Sequence, residues 1–246
     1  MNVVDNKKAL VLFSGGLDST TTLAYALSKN FNVFALTINY KQRHCYEIEA
    51  SKKIVDKHHN VDQIIFDIDL TKIGGSALTD ANIDVPSSSP IGIPITYVPA
   101  RNTIFLSIAA SYAEKFSIRD IFIGVNAIDY SGYPDCRPEY INSYESMINL
   151  GTKAGSEGLP FKIHTPLINL SKSEIIKMGS ELNVDYSDTV SCYSLNNHGE
   201  ACGICDSCHF RKQGFIDAGI SDPTNYKKKI KNIMLILSFA NIINAI

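Results

Sequence analysis

Four short apolar runs constrain this chain more than any other feature: Ala9-Leu10-Val11-Leu12-Phe13, Val33-Phe34-Ala35-Leu36-Thr37-Ile38, Gln63-Ile64-Ile65-Phe66 and Ile121-Phe122-Ile123-Gly124-Val125. Each is continuous rather than alternating, the pattern of strands buried on both faces of a parallel sheet. Helical stretches separate them. Ser19 to Ser28 and Glu47 to Lys57 read as helices, and Ile104, Ile108, Tyr112 and Phe116 recur every four residues as an amphipathic stripe. Strand and helix alternating in this way predict an α/β domain with a doubly wound, mostly parallel sheet. Such sheets bind ligands beyond the carboxyl ends of their strands, so function belongs in the loops that follow the apolar runs.

The loop after the first run is Ser14-Gly15-Gly16-Leu17-Asp18-Ser19. Its two glycines let the backbone turn tightly and aim successive N–H groups at one point, which suits an anion at a helix amino terminus. Ser14 and Ser19 can donate from their hydroxyls, while Asp18 makes sense beside Mg²⁺ or against the loop's own backbone. The loop lacks the Gly-Lys-Ser/Thr of a Walker A sequence and the Gly-x-Gly-x-x-Gly of a dinucleotide site. A plain strand-to-helix turn would also accept Ser-Gly-Gly. In its context, however, the hexapeptide resembles the PP-loop of the ATP pyrophosphatase superfamily, in which the loop holds ATP's pyrophosphate while a substrate oxygen attacks the α-phosphate.

Four of six cysteines, Cys192, Cys202, Cys205 and Cys208, fall within 17 residues. Four thiolates can surround one Zn²⁺ and leave no open position, which predicts a structural zinc rather than a catalytic one. A redox pair is the rival reading of Cys-x-x-Cys. His198 and His209 are second choices as ligands. Cys136 is either a nucleophile or a small packing residue, and Cys45 a core or helix-surface residue.

Two further segments stand at strand ends, Asn39-Tyr40-Lys41-Gln42-Arg43-His44 and Asp129-Tyr130-Ser131-Gly132-Tyr133-Pro134-Asp135-Cys136-Arg137-Pro138-Glu139. The second carries aromatic faces for a heterocycle and carboxylates able to accept from a guanine-like edge. Together with the PP-loop and Cys202-Gly203-Ile204-Cys205-Asp206-Ser207-Cys208, these segments resemble the 7-cyano-7-deazaguanine synthases of queuosine biosynthesis, over roughly Lys8 to Tyr226. Asn39 stands where that family's pattern has aspartate, and Lys41 and Ala100 where it has glycine.

The resemblance implies a sheet of the adenine nucleotide α-hydrolase-like (PP-loop) type with a small carboxyl-terminal zinc-binding region. It implies an enzyme that converts 7-carboxy-7-deazaguanine and ammonia to the nitrile with ATP, through an amide. The expected ATP-binding residues are Phe13, Ser14, Gly15, Gly16, Leu17, Asp18, Ser19, Thr20, Thr21, Thr22 and Leu23. Asp18, Ser19, Arg101 and Lys172 are the expected catalytic residues, with Arg101 and Lys172 neutralising phosphate charge. Tyr133, Asp135, Arg137 and Glu139 are the candidates for the deazapurine. The cofactors are one structural Zn²⁺ on the four cysteines and Mg²⁺ with ATP. A PP-loop tRNA sulfurtransferase and a non-enzymatic zinc-ribbon module are the alternatives, and no segment remains for a glutaminase domain.

A net charge of −2 gives no basic excess, so no nucleic-acid partner is expected. The amino terminus lacks a signal peptide's apolar core, and the apolar tail Ile233–Ile246 is shorter than the roughly 20 residues that span a bilayer. The expectation is a soluble cytoplasmic protein, with the tail available to a homodimer. Expected boundaries are 1–184 for the ATP-binding domain, 185–226 for the cysteine region and 227–246 for the tail. Within the first, Leu70 to Ile95 reads as a lid or binding loop, and Ser171-Lys172-Ser173-Glu174 as a capping box opening a helix.

Overall fold

A computed structural model describes residues 7–43, 45–86, 92–127 and 132–227. Five strands, β1 (Lys8–Leu12), β2 (Asn32–Asn39), β3 (Val61–Asp67), β4 (Asp120–Ile123) and β5 (Lys162–His164), form one sheet in the order β3-β2-β1-β4-β5. Every neighbouring pair is parallel. The chain builds outward from β1 to β3, then returns to add β4 on the other side of β1. Crossovers therefore leave opposite faces of the sheet at β1 and β4, and a crevice opens beyond their carboxyl ends.

Side-chain alternation along β1 separates two cores. Leu10 and Leu12 point to one face with Leu36, Ile38, Leu106, Ile121 and Ile123. Ala9, Val11 and Phe13 point to the other with Leu23, Val33, Ala35, Ile54 and Phe122. The second face is covered by α1 (Leu17–Ser28) and α2 (Tyr46–Val55), the first by α3 (Arg101–Lys115) and α4 (Pro138–Gly151). Burying each large apolar side chain contributes about 1.5–3 kcal/mol, so the two-sided strands carry most of the folding drive.

Three expectations need correction. The edge strand β3 is not buried on both faces, since Val61 is its one fully buried residue. The stripe expected on α3 flanks the buried face instead of forming it: Leu106, Ala109, Ala110 and Ala113 are buried against the sheet. Alanines let the helix approach closely, while Tyr112 and the following Phe116 reach sideways to Phe66 and Phe34. Strand β5 escaped the sequence pattern because it has one apolar residue, Ile163. It is secured by Glu145 on α4, which accepts from the Ile163 N–H at 2.7 Å and pairs with Lys162 at 3.0 Å.

After a short helix, α5 (Lys153–Ser156), come α6 (Lys172–Glu181) and α7 (Asp206–Ala218). The capping box is present: the Ser171 hydroxyl accepts from the Glu174 N–H, and the Glu174 carboxylate accepts from the Ser171 N–H at 2.7 Å. Leu17, Ile175, Ile176, Tyr186 and Phe215 share a third core. Helix α7 is thus packed on α1 and α6, and packing continues across the expected boundary at 184. Among the described residues no helix is long and apolar enough to cross a membrane. The apolar tail lies outside the described residues.

Candidate active site at the carboxyl end of the sheet

The loop after β1 is wound on itself. Ser19 Oγ accepts from the Ser14 N–H at 3.2 Å and donates to the Gly16 carbonyl at 3.2 Å, while Ser14 Oγ accepts from the Gly16 N–H at 3.3 Å. Gly15 has φ +80°, and a β-carbon there would stand 2.7 Å from the Glu47 carbonyl oxygen and the Ser51 nitrogen. Only glycine meets both demands. Gly16 caps α1 without a side-chain acceptor, which leaves the first-turn N–H groups available to an anion.

One cavity opens above this loop, lined by Phe13, Ser14, Gly16, Leu17, Asp18 and Ser19. The remaining residues expected at ATP turn away from it. Thr20, Thr21 and Thr22 donate their hydroxyls to the carbonyls of Gly16, Leu17 and Asp18, the residues four positions back. Leu23 belongs to the core, and Gly15 sets the loop's curvature from behind.

Lys172, at the start of α6, is buried with Nζ 2.8 Å from both carboxylate oxygens of Asp18. Its stem runs against Gly214 of α7, where an added β-carbon would lie 2.4 Å from Lys172 Cγ. Helix α7 therefore approaches closely enough to shape the cavity, and its Ser207 and Arg211 line the wall. Arg211 is buried, donating to Thr189 Oγ1 at 2.7 Å, to the Tyr186 carbonyl at 3.0 Å and to Asp222 at 3.1 Å.

Tyr40, Gln42, Glu47, Arg101, Phe105, Tyr133 and Tyr193 also line the cavity. Arg101 is at the start of α3, and Ala100 before it is left-handed at φ +52°. Burial pushes the Glu47 carboxyl up to about 7, against the opposing pull of Arg101 and a hydrogen bond from Gln42. Burial likewise pushes the Cys136 thiol up to about 11, with Asp135 adding to the shift. Cys136 lines the cavity and lies 3.5 Å from the Asn102 amide nitrogen, and its raised thiol favours packing over nucleophilic chemistry. Cys45 is exposed and precedes α2.

Of the deazapurine candidates, Tyr133 lines the cavity, its hydroxyl 2.7 Å from Thr96 Oγ1. Asp135 is buried and accepts from the Asn102 N–H at 3.2 Å, capping the start of α3. Arg137 and Glu139 are exposed at the start of α4 and do not line the cavity. Ile128 to Ser131 and His44 lie outside the described residues. Sequence reasoning missed Glu47, Ser207, Arg211 and Tyr193. Glu47 was within reach, since it follows the polar segment after β2 by three residues; no local signal marked the others.

The Sγ atoms of Cys192, Cys202, Cys205 and Cys208 all lie within 4.8 Å of one another. Tetrahedral zinc with sulfur at about 2.3 Å implies S···S spacings near 3.8 Å, so the cluster is close to that geometry. Backbone N–H groups aim at the sulfurs, from Cys202 to Cys192 at 3.2 Å and from Cys205 to Cys202 at 3.4 Å, which favours thiolates. The cluster can hold a metal ion with these four ligands, and His198 and His209 are outside it.

The comparisons with known proteins agree with this geometry. The chain is 56% identical over 223 residues to the 7-cyano-7-deazaguanine synthase of Saccharophagus degradans, covering 91% of this chain and 99% of that one. It is 57% identical over 222 residues to the synthase of Dechloromonas aromatica, covering 90% and 99%. Among solved structures, NMN synthetase from Francisella tularensis matches with a TM-score of 0.50 at 14% identity, over 98% of this chain and 86% of that one, a likeness of fold alone. The family model described as Queuosine biosynthesis protein QueC matches residues 8–219, and the chain belongs to that family.

Proposed function

We propose that this chain converts 7-carboxy-7-deazaguanine and ammonia to 7-cyano-7-deazaguanine, consuming ATP. The observation that carries this is a single cavity lined both by a phosphate-type helix terminus and by the rings of Tyr40, Phe105, Tyr133 and Tyr193. Kinship with synthases over nearly their full length supports it.

A carboxylate is a poor electrophile because its leaving group is oxide. Transfer of AMP to the substrate oxygen supplies a better one, ammonia then displaces AMP, and the amide forms. Adenylation of the amide oxygen then releases pyrophosphate and one N–H proton, and breaking the C–O bond to expel AMP with loss of the second N–H proton leaves the nitrile. In this reading the first-turn N–H groups of α1 and the hydroxyls of Ser14 and Ser19 hold the departing pyrophosphate. Lys172 and Arg101 supply positive charge from two walls, and Tyr133 packs on the deazapurine. Asp18 would hold Mg²⁺ by giving the ion an oxygen now hydrogen-bonded to the Lys172 ammonium, and the ion would neutralise charge on the leaving pyrophosphate. The four thiolates suit zinc, closed to substrate and structural.

A sulfur-transfer reading needs a reactive cysteine at the site, and the buried Cys136 thiol speaks against it. A homodimer and a cytoplasmic location belong to the same proposal. The test is mass spectrometry of purified protein with 7-carboxy-7-deazaguanine, ammonium, Mg²⁺ and ATP. The nitrile should appear only with all components present, preceded by the amide. A folded, metal-loaded sample that consumes neither substrate would reject the reading.

A further inference from the structure

We propose that Glu47 reads the guanine-like edge of the substrate, its two carboxylate oxygens accepting from the ring N–H and the exocyclic amino group. The assignment deepens the synthase reading and rests on it.

Among the described residues that line the cavity, the carboxylates are Asp18 and Glu47. Asp18 has both oxygens on Lys172 at the phosphate loop. Glu47 lines the same cavity as Tyr40, Phe105, Tyr133 and Tyr193, whose rings offer apolar surface to a heterocycle. The carboxylates expected for this edge are elsewhere: Asp135 caps α3, and Glu139 is exposed outside the lining.

Glu47 is also oriented. The Gln42 Oε1 accepts from the Tyr40 N–H at 3.2 Å, which fixes that side chain's amide and leaves its NH₂ to donate to Glu47. Gln42 and the Arg101 charge lie beside the carboxylate, which is half-buried on the cavity wall. A carboxylate so placed gains most from a ligand that brings donors in pairs. A guanine-like edge presents two parallel N–H donors. The adenine edge presents one donor beside a ring nitrogen lone pair, which a carboxylate repels. Glu47 therefore sorts the two purine-like rings that this enzyme must hold at once, admitting the deazaguanine to its carboxylate and turning the adenine of ATP away.

The experiment measures kcat and KM with full-length wild type and Glu47→Gln, on 7-carboxy-7-deazaguanine and on its analogue lacking the exocyclic amine. Wild type should prefer the aminated compound by roughly 10- to 100-fold in kcat/KM, the worth of a hydrogen bond to a charged group. Glu47→Gln should lose about that factor through deazapurine KM, keep its KM for ATP, and no longer distinguish the two compounds. If Glu47→Gln does not fold, Glu47→Asp keeps the charge with a shorter reach and should show a partial loss of the same selectivity. Retained selectivity with a fall in kcat alone would overturn the assignment in favour of a proton-transfer role. A rise in ATP KM alone would overturn it in favour of the adenine ring. A wild-type enzyme that turns over neither compound rejects the synthase reading, and this assignment with it.

Discussion

Ser14 to Ser19 and Cys192 to Cys208 each lead from irregular backbone into the first turn of a helix beside the same cavity, and they are held in different ways. The first is braced from all sides. Strand β1 feeds it from the centre of the sheet, α1 leaves it, and α2 presses on Gly15 from behind. Hydrogen bonds among Ser14, Gly16 and Ser19 tie it to itself, and the Gly15 carbonyl accepts from the Val190 N–H at 3.0 Å. The second has little apolar packing of its own, and its centre is four sulfurs with N–H groups turned toward them. One segment inherits its shape from the sheet, and the other gathers four sulfurs that could hold a metal ion. The two meet on α7, where Gly214 admits the Lys172 stem and Arg211 spans Thr189, Tyr186 and Asp222. The four-cysteine cluster can therefore position a wall of the cavity through α7.

The largest effect should come from removing a thiolate. Cys205→Ser should abolish metal binding, whose apparent free energy in small zinc modules is about 10 kcal/mol or more. Hydrogen exchange should then show α7 losing protection while β1 and β2 keep theirs. Loss of protection throughout the sheet would erase the distinction between the two segments.

Next is Asp18→Ala. Turnover should fall by about 10²-fold or more, through loss of electrostatic stabilisation at the leaving group, with metal content unchanged. Retained activity would remove Asp18 from the chemistry.

Gly15→Ala places a side chain at positive φ and against α2 backbone, at a cost of about 1–3 kcal/mol. Calorimetry should find ATP affinity reduced with the cysteine site still loaded. A normal affinity would mean that the loop is looser than its bracing implies.

A fourth test concerns pH. Glu47 titrates near 4.5 when solvated and is pushed up to about 7 by burial, so between those values the folded state binds more protons than the unfolded one. Wild-type stability should therefore fall, relative to Glu47→Gln, as pH rises from about 4.5 to about 7, and level off above. Denaturant midpoints across that range measure it, and parallel curves would contradict the half-buried state of Glu47.

The smallest effect concerns the departures from the family pattern. Lys41 and Ala100, both standing where glycine is expected, have φ of +63° and +52°. Each L-residue there bears left-handed strain of about 1 kcal/mol. Ala100→Gly should raise unfolding stability by about 0.5 kcal/mol after the entropy that glycine adds to the unfolded chain is subtracted. Asn39 has its own reason. Its side-chain amide donates to Asp67 Oδ1 at 2.7 Å across the β2–β3 edge, where an aspartate would repel.

Periodicity and local spacing made the central strands, α1, the capping box, the phosphate loop and the four-cysteine set legible in the sequence. These features depend on residues close in the chain, or on burial so complete that composition alone reports it. Strand β5 carries too little apolar surface to show, and the α3 stripe misled because alanines, which small-residue packing favours, look neutral in a hydrophobic pattern. Chemistry-bearing residues in a loop invited assignment to the substrate, yet Asp135 faces α3 and Glu139 faces outward.

The sequence by itself determined which backbone segments could be strand, phosphate loop or metal cluster, because those properties are written in neighbours. Tertiary structure alone decided which carboxylate enters the cavity, that Lys172 rests on Asp18 some 154 positions away, and that α7 closes the wall. Those pairings depend on where crossovers return each helix to the sheet, and no local pattern encodes the meeting of side chains that the chain separates.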